Sequence, residues 1–251
     1  MTQRFFSVSL CLCVKHCYTI LEMKSILVLI SANAEWKAVR EFYPEAIYQS
    51  GPYGEWFTRS LVARPTGQVK QAVFLHGGWG KIAAAASAEY AIQCFQPELI
   101  VNLGTCGGFS GRVERGEILL ATETVVYDII EQMGDAQQAL DHYTTHLDLD
   151  WLPATLPLPV RRARLVSADR DILPQDITML RERFDAVACD WESGAIAWVA
   201  ARHDLRCLIL RGVSDLVDEG GGEAYGKLDL FHEQAALILS RLLESLPLWV
   251  E

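Results

Sequence analysis

The chain has 251 residues, of which 51% are hydrophobic and 22% are charged, and a formal net charge of −10 at pH 7. This composition is that of a globular protein and excludes a mainly disordered chain. The negative charge argues against non-specific binding to nucleic acid or to an anionic membrane, because both need a basic surface.

The first 22 residues differ from the rest of the chain. Arg4 precedes an apolar run over residues 5–14 that resembles a short export signal. However, Ser7 and Ser9 interrupt the run and no small-x-small cleavage site follows. The run is also too short for a membrane span. We expect residues 1–22 to be a dispensable extension, with an export signal as the alternative, and residues 23–251 to form one domain.

The cysteines indicate a reducing compartment and no metal site. No two of them have the CxxC spacing, and the last four lie in apolar runs, where a cysteine usually packs as a small hydrophobic residue. A metal cluster near the N-terminus would lack the second ligand pair of structural zinc sites. The residues weighed are Cys11, Cys13, His16, Cys17, Cys94, Cys106, Cys189 and Cys207.

Short apolar runs alternate with longer helical patterns along the chain. This alternation predicts a single-domain α/β fold in which a central mixed sheet is flanked by helices on both faces. The predicted strands are residues 26–30, 72–76, 99–103, 118–121, 164–167, 186–189 and 207–210. The predicted helices are residues 34–42, 81–95, 175–184, 193–202 and 228–246. Residues 132–159 show no regular pattern, and we expect a functional loop or an interface there.

Polar residues follow several predicted strands, at the sheet end where α/β folds bind ligands. Glu35 begins the helix after the first strand, and Thr105 lies between glycines after the third. Glu192 precedes the most apolar helix, where a carboxylate is costly to bury without a function or a partner. Asp215 follows the last strand. These residues predict an acidic site, although helix capping or an ion pair with Arg211 would explain some of them equally well.

The glycine-rich segment after the second strand is not a phosphate-binding P-loop. Residues 77–81 read GGWGK, but the first glycine of that motif would fall at Leu75, and Ile82 stands where the motif needs a hydroxyl.

Three segments resemble the signature segments of the nucleoside phosphorylase/nucleosidase superfamily. They are residues 102–109 (NLGTCGGF), 190–197 (DWESGAIA) and 211–215 (RGVSD), in the superfamily's order and spacing. Within it, the chain is most similar to the 5′-methylthioadenosine/S-adenosylhomocysteine nucleosidases, including plant-type members. The resemblance extends from Met23 to about Ser245, and it implies that residues 23–251 form a nucleosidase domain.

The resemblance assigns a role to each acid. Glu35 matches the acid that activates the attacking water, and Glu192 matches the acid that holds the ribose hydroxyls. Asp215 matches the acid that protonates purine N7, with Ser214 supporting it. Such a proton donor needs a raised pKa, which burial supplies. The implied substrate-binding residues are Thr105, Cys106, Gly107, Trp191, Ser214, Arg211, Asp171, Ile172 and Tyr225.

Water is the expected nucleophile. Phosphorylases of this superfamily hold phosphate with arginines, one of them two residues before the GS/GT pair, where this chain has Asn102. No arginine occurs between Arg64 and Arg112, and Lys81 is expected to begin a helix. Hydrolysis of a purine nucleoside with release of adenine is therefore the expected reaction. The alternatives are a phosphate-dependent phosphorylase and a non-catalytic nucleoside-binding or storage protein on the same fold.

The base and sugar pockets depart from the family pattern. Asp171 stands where bacterial members place an aromatic residue against adenine, and Arg170 adds a second charge. Trp191 occupies a position that is commonly Met and packs against the sugar. Tyr225, after the glycines at 220–222, is a candidate lid residue or a surface tyrosine. These departures leave the identity of the base and of the 5′ substituent open.

The resemblance also implies the partners of the chain. Close relatives complete part of the 5′ pocket from a second subunit, so we expect a homodimer. We expect a cytoplasmic enzyme of nucleoside catabolism and methionine salvage that needs no cofactor or metal and binds neither nucleic acid nor membrane.

Overall fold

A computed structural model describes residues 25–64 and 66–250 of the chain. The predicted extension of residues 1–22, with its cysteines, lies outside these ranges. The strands are β1 (Ser25–Ile30), β2 (Gln49–Ser50), β3 (Glu55–Val62), β4 (Val69–His76), β5 (Leu99–Phe109), β6 (Ile118–Val126), β7 (Thr144–His146), β8 (Arg161–Ser167), β9 (Ala188–Asp190), β10 (Arg206–Asp218) and β11 (Gly221–Gly222). The helices are α1 (Asn33–Phe42), α2 (Lys81–Phe95), α3 (Ala136–His142), α4 (Ile177–Phe184), α5 (Ser193–Arg202) and α6 (Leu228–Trp249).

The described strands form one mixed sheet of eleven strands in the order β11-β10-β6-β8-β9-β5-β1-β4-β3-β2, with β7 beside β6. Strand β10 also pairs with β5, in parallel. Five strands (β5, β10, β6, β8 and β9) therefore close into a ring, and the path from β1 to β2 extends from it as an open sheet. This mixed sheet with helices against it confirms the predicted fold class.

The side chains of β1 point alternately to the two faces of the sheet, and their contacts show how helices cover both faces. Ile26, Val28 and Ile30 pack in one core cluster with α1 and α6, whereas Leu27 and Leu29 pack in a second cluster with α2 and α5. A strand that is buried along its whole length needs apolar side chains on both faces. A third cluster packs α4 against the ring. No described helix has the length and apolarity that a lipid bilayer requires of a spanning segment.

Several predicted boundaries were wrong. The third and last predicted strands continue to Phe109 and Asp218, so residues 104–108 and 211–215 lie inside β5 and β10 and do not follow them. The two strands extend because they pair with each other, across a bulge between Val213 and Asp215. Strands β2 and β3 were not predicted, and the stretch at 132–159 contains α3 and β7.

Candidate active site

A cavity of about 600 Å³ lies where β5, β9 and β10 meet the segments after β1, β4 and β8. The described residues that line it include buried acids and hydroxyls, such as Glu35 and Ser214, and exposed apolar groups, such as Trp79 and Leu228. They are Ala32, Glu35, Trp79, Thr105, Cys106, Gly107, Arg170, Asp171, Ile172, Cys189, Asp190, Trp191, Glu192, Ser214, Asp215, Val217, Ala224, Tyr225, Gly226, Lys227, Leu228 and Phe231.

Glu35 is held by α1 and β5 together. Its carboxylate accepts the backbone N–H of Ala32 at 3.1 Å, at the beginning of α1, and this bond fixes its rotamer. On the β5 side it accepts both the backbone N–H of Thr105 at 2.6 Å and the Thr105 hydroxyl at 2.8 Å. The side chain is buried. Three hydrogen bonds from two elements hold the Glu35 carboxyl group in one orientation.

Glu192 lies across the cavity, at the start of α5. Its carboxylate accepts the backbone N–H of Gly80 at 2.9 Å. Burial is the main cause that raises the pKa of Glu192 to about 8, and the neighbouring Asp190 raises it further. The Arg211 guanidinium opposes this shift. The proton of Glu192 is therefore sensitive to any charge that enters the cavity.

Arg211 lies beneath the cavity and not on its wall. Only 1% of the residue is exposed, and its guanidinium donates to Asp190 at 2.5 Å and to the side-chain oxygen of Asn102 at 2.6 Å. Asn102 in turn donates to the backbone oxygen of Leu29 at 3.0 Å. Arg211, which was expected to bind substrate, does not line the cavity. Arg211 instead fixes Asp190, two residues before Glu192, and supplies positive charge under the acids.

Asp215 faces the cavity from β10. Its carboxylate accepts a hydrogen bond from the Ser214 hydroxyl group at 2.7 Å. Burial raises the pKa of Asp215, and this effect exceeds the opposing hydrogen bonds from Ser214 and the backbone of Ala224. A carboxyl group that is protonated more readily than usual, at the edge of a cavity, can donate a proton to a ligand.

The segment after β11 closes over one side of the cavity. The Tyr225 hydroxyl donates to the backbone oxygen of Ile172 at 2.8 Å, and 40% of Tyr225 remains exposed. Asp171 is exposed beside it and lines the same wall. The bond joins the segment after β8 to the segment before α6, so Tyr225 is part of the cavity wall and also of its entrance.

Aromatic and sulfur groups complete the walls. The rings of Trp191 and Trp79 meet edge to face, with centroids 5.5 Å apart. The buried thiol of Cys106 donates to the backbone oxygen of Gly212 at 3.7 Å, and burial raises its pKa well above the ordinary value. Cys106 is therefore a neutral packing group, and Gly107 beside it leaves room for a ligand against β5.

The structure brings eleven of the sequence-predicted site residues to one cavity, all except Arg211. Sequence reasoning gave no role to Trp79, Asp190, Leu228 and Phe231, which also line it. Leu228 and Phe231 lie at the beginning of the helix predicted for residues 228–246, to which sequence reasoning assigned no function. Among the described residues, no group of three or more His, Cys, Asp or Glu side chains is arranged to hold a metal ion.

Comparison with known proteins found a matching family model and individual proteins that are similar in sequence. The family model of the phosphorylase superfamily matches residues 26–246. A 5′-methylthioadenosine/S-adenosylhomocysteine nucleosidase from Halalkalibacterium halodurans is 30% identical over 179 residues, which cover 67% of this chain and 76% of that protein.

Solved structures with the same fold include two nucleosidases. The Campylobacter jejuni 5′-methylthioadenosine/S-adenosylhomocysteine nucleosidase is 19% identical, with a TM-score of 0.71 over 90% of this chain and 99% of its own. The nucleosidase from S. pneumoniae, solved with a transition-state inhibitor, is 18% identical, with a TM-score of 0.71 over 90% of this chain and 100% of its own.

Proposed function

The chain belongs to the phosphorylase superfamily, and from this premise we propose that it is a nucleosidase that hydrolyses the N-glycosidic bond of a purine nucleoside. The substrate class is 5′-methylthioadenosine or S-adenosylhomocysteine, the class named for the relative from Halalkalibacterium halodurans. The observation that supports this most strongly is the placement of Glu35, Glu192 and Asp215 in one cavity, each in a different environment.

The leaving group needs a proton. As the bond between C1′ and N9 breaks, its electron pair moves to the purine, and a proton delivered to N7 neutralises the developing anion. Asp215 is the donor, because burial raises its pKa and its carboxyl group therefore holds a proton more readily than usual. Ser214 orients the carboxyl group through its hydrogen bond.

The sugar becomes cationic in the same step. Glu192 lies where it can accept the ribose hydroxyls, and a positive charge close to its carboxylate favours the ionised form. The raised pKa of about 8 belongs to the cavity without a ligand. A ribosyl cation lowers that pKa, so the stabilisation is greatest when the positive charge has developed.

Water attacks C1′ and gives one proton to Glu35. The bonds from Thr105 and Ala32 keep the Glu35 carboxylate oriented towards the cavity. Phosphate is disfavoured as nucleophile, because the Arg211 guanidinium is already bonded to Asp190 and Asn102. Products are the free base, adenine for these substrates, and the free sugar.

The direct test is base release in phosphate-free buffer. The purified protein is incubated with 5′-methylthioadenosine, and adenine and 5-methylthioribose are measured by chromatography with and without added phosphate. We expect adenine in both conditions at the same rate. Strict dependence on phosphate would show phosphorolysis, and no release from any purine nucleoside in a panel would contradict the proposal.

The remaining assignments concern the whole protein. We propose that the domain of residues 23–251 is active without residues 1–22, that the enzyme acts in the cytoplasm, and that it is a homodimer. Exposed apolar residues support the dimer, among them Trp79 at the cavity (60% exposed), Ile82 (84%) and Ile130 (77%). A chain that begins at Met23 should keep the kcat/KM of the full chain.

A further inference from the structure

A second cavity, of about 360 Å³, shares no lining residue with the candidate active site. Four of the ten described residues that line it are arginines. The ten are Arg112, Thr122, Glu123, His146, Arg161, Arg162, Ala163, Arg164, Asp185 and Val187. This concentration of guanidinium groups is unusual in a chain whose net charge is −10.

Two of the four arginines are neutralised by acids of the same cavity. Arg164 forms an ion pair with the buried Glu123, and Arg112 forms one with Asp185 at 2.9 Å. The Glu123 carboxylate also contacts a ring nitrogen of His146 at 2.7 Å. Both carboxylates of the cavity are therefore already engaged by cationic or hydrogen-bonding partners.

The other two arginines keep an uncompensated charge. Arg161 donates to the backbone oxygen of Arg112, a neutral acceptor. The Arg162 side chain has no hydrogen bond or ion pair to any other residue that the structure describes. Four guanidinium groups against two carboxylates leave an excess of two positive charges, and such clustered charges raise the local potential unless an anion binds.

We propose that this cavity binds a phosphate group, either as free phosphate or on a small phosphorylated metabolite. Guanidinium groups bind phosphate oxygens through paired N–H donors, and the two arginines of this cavity that have no acidic partner match a dianion in charge. Arg161 and Arg162 are the primary ligands, and Arg112 and Arg164, each paired with an acid, line the rest of the cavity. The cavity is too small for a macromolecule, and the acidic surface of the chain disfavours nucleic acid.

Strand β8 connects this anion site to the active site. Its first residues line the second cavity, and its last residue, Ser167, donates to Asp190 at 2.6 Å. The rise of a strand, about 3.3 Å per residue, separates Arg162 from Ser167 by about 16 Å. The two sites are thus separate enough to be tested independently.

The test is calorimetric titration at constant ionic strength, with inorganic phosphate in one arm and ribose 5-phosphate in the other. We expect the wild-type chain to bind at least one of them, and Arg161→Ala/Arg162→Ala to bind about tenfold or more weakly. Tighter binding of ribose 5-phosphate would identify a phosphorylated metabolite, and tighter binding of phosphate would identify the free ion.

Two further variants separate loss of the anion site from a general loss of surface charge and from a failure to fold. Lys37→Ala/Arg241→Ala removes the same charge elsewhere on the surface and should bind as the wild type does. Arg162→Ala alone loses no internal hydrogen bond, so it should fold normally and still bind more weakly. Because no step depends on turnover, the result is independent of the proposed nucleosidase activity. Equal binding in the wild type and both arginine variants, or no binding in the wild type, would overturn the proposal.

Discussion

The three acids of the candidate active site differ in what surrounds them, and their chemistry follows from that difference. Glu35 accepts three hydrogen bonds, whereas Glu192 is close to another acid and Asp215 is bonded mainly to one hydroxyl. Burial raises the pKa of both Glu192 and Asp215, and the neighbouring Asp190 raises that of Glu192 further. The cavity therefore places an oriented carboxyl group, that of Glu35, beside two that hold a proton more readily than usual.

Asp215→Asn tests the proton donor. We expect kcat to fall by about 10²–10⁴-fold, because an amide cannot protonate N7 although it keeps the size of the side chain. In the wild type, kcat/KM should fall as pH rises through the raised pKa of Asp215, and this decline should be absent from the variant. Steady-state kinetics with 5′-methylthioadenosine across a pH series measure both effects.

The control for this change is Asp141→Asn, on the exposed surface of α3, where an amide oxygen can still accept the bond from Gln137. Its kinetics should match those of the wild type. Asp215→Asn with unchanged turnover would contradict the mechanism and would favour a different donor.

Glu192→Gln should change how stability depends on pH. The folded-state pKa of about 8 lies above the unfolded value of about 4.3, so the folded state holds a proton that the unfolded state releases. Wild-type stability therefore declines as pH rises through this interval, by up to about 1.4 kcal/mol per pKa unit. The glutamine variant should lose part of this decline, as measured by urea unfolding between about pH 5 and pH 8.

Glu41→Gln, an exposed residue of α1, is the matched control and should unfold with the wild-type pH dependence. If Glu192→Gln shows the same slope as the wild type, Glu192 is ionised in the folded protein.

At the level of elements, β10 and α6 pack closely because Gly212 has no side chain. A Cβ atom at this position would lie 2.3 Å from Cγ2 and 2.9 Å from Cγ1 of Ile238, on the buried face of α6. Gly212→Ala should therefore lower the free energy of unfolding by about 1–3 kcal/mol, as overpacking in a core does. Urea denaturation monitored by circular dichroism gives the value.

Ile238→Ala removes the atoms with which a methyl group at position 212 would clash. The double variant Gly212→Ala/Ile238→Ala should consequently be less destabilised than the sum of the single changes. Gly134→Ala is the control, since its nearest neighbour would lie 3.9 Å away. Strict additivity at 212 and 238 would show that the helix does not restrict this position.

The bounds of helices and strands were predicted most accurately from the sequence where a single local pattern determines them. Helices α2 and α5 were predicted with the observed bounds, because both are alanine-rich segments between predicted strands. Strand β3 has mixed burial and shows no clean alternation, so the local pattern could not reveal it. The lengths of β5 and β10 depend on their mutual pairing, which no local pattern contains.

The candidate site likewise contains some residues that a local sequence pattern reveals and others whose contacts form only in the folded chain. Sequence reasoning found the three acids, because Glu35, Glu192 and Asp215 each lie near the end of a predicted strand. Their position in one cavity follows from the order of the strands in the sheet. Asp190 received no role, because its partner Arg211 is 21 residues away and only the folded chain brings them together. Arg211 was expected to contact a ligand. A sequence shows that a guanidinium group is present, but it does not show that other residues of the protein already accept its hydrogen bonds.

The assembly of the whole molecule gives a further prediction. The ion pair of Lys81 with Asp128 brings the segments that contain Ile82 and Ile130 together, and both isoleucines are exposed. Ile82→Asp/Ile130→Asp should convert a dimer into a monomer, because burying two carboxylates in an apolar interface is unfavourable. Light scattering at several concentrations measures the mass.

Ile47, which is 84% exposed beyond α1, supplies the control. Ile47→Asp should leave the mass of the assembly unchanged. A wild-type chain that is monomeric at all concentrations would contradict the proposed homodimer.

The closed ring of β5, β10, β6, β8 and β9 also bears on aggregation. Within the described residues, the strands that carry Thr105, Asp190 and Asp215 have neighbours in the ring on both sides. The open end of the sheet terminates in β2, which has only two residues. A strand that short offers few free backbone groups for a second chain to extend. The ring therefore protects the strands of the polar cavity from pairing with a second chain, and the free edge of the described sheet lies on β3, where residues 57–62 continue past the two pairs with β2.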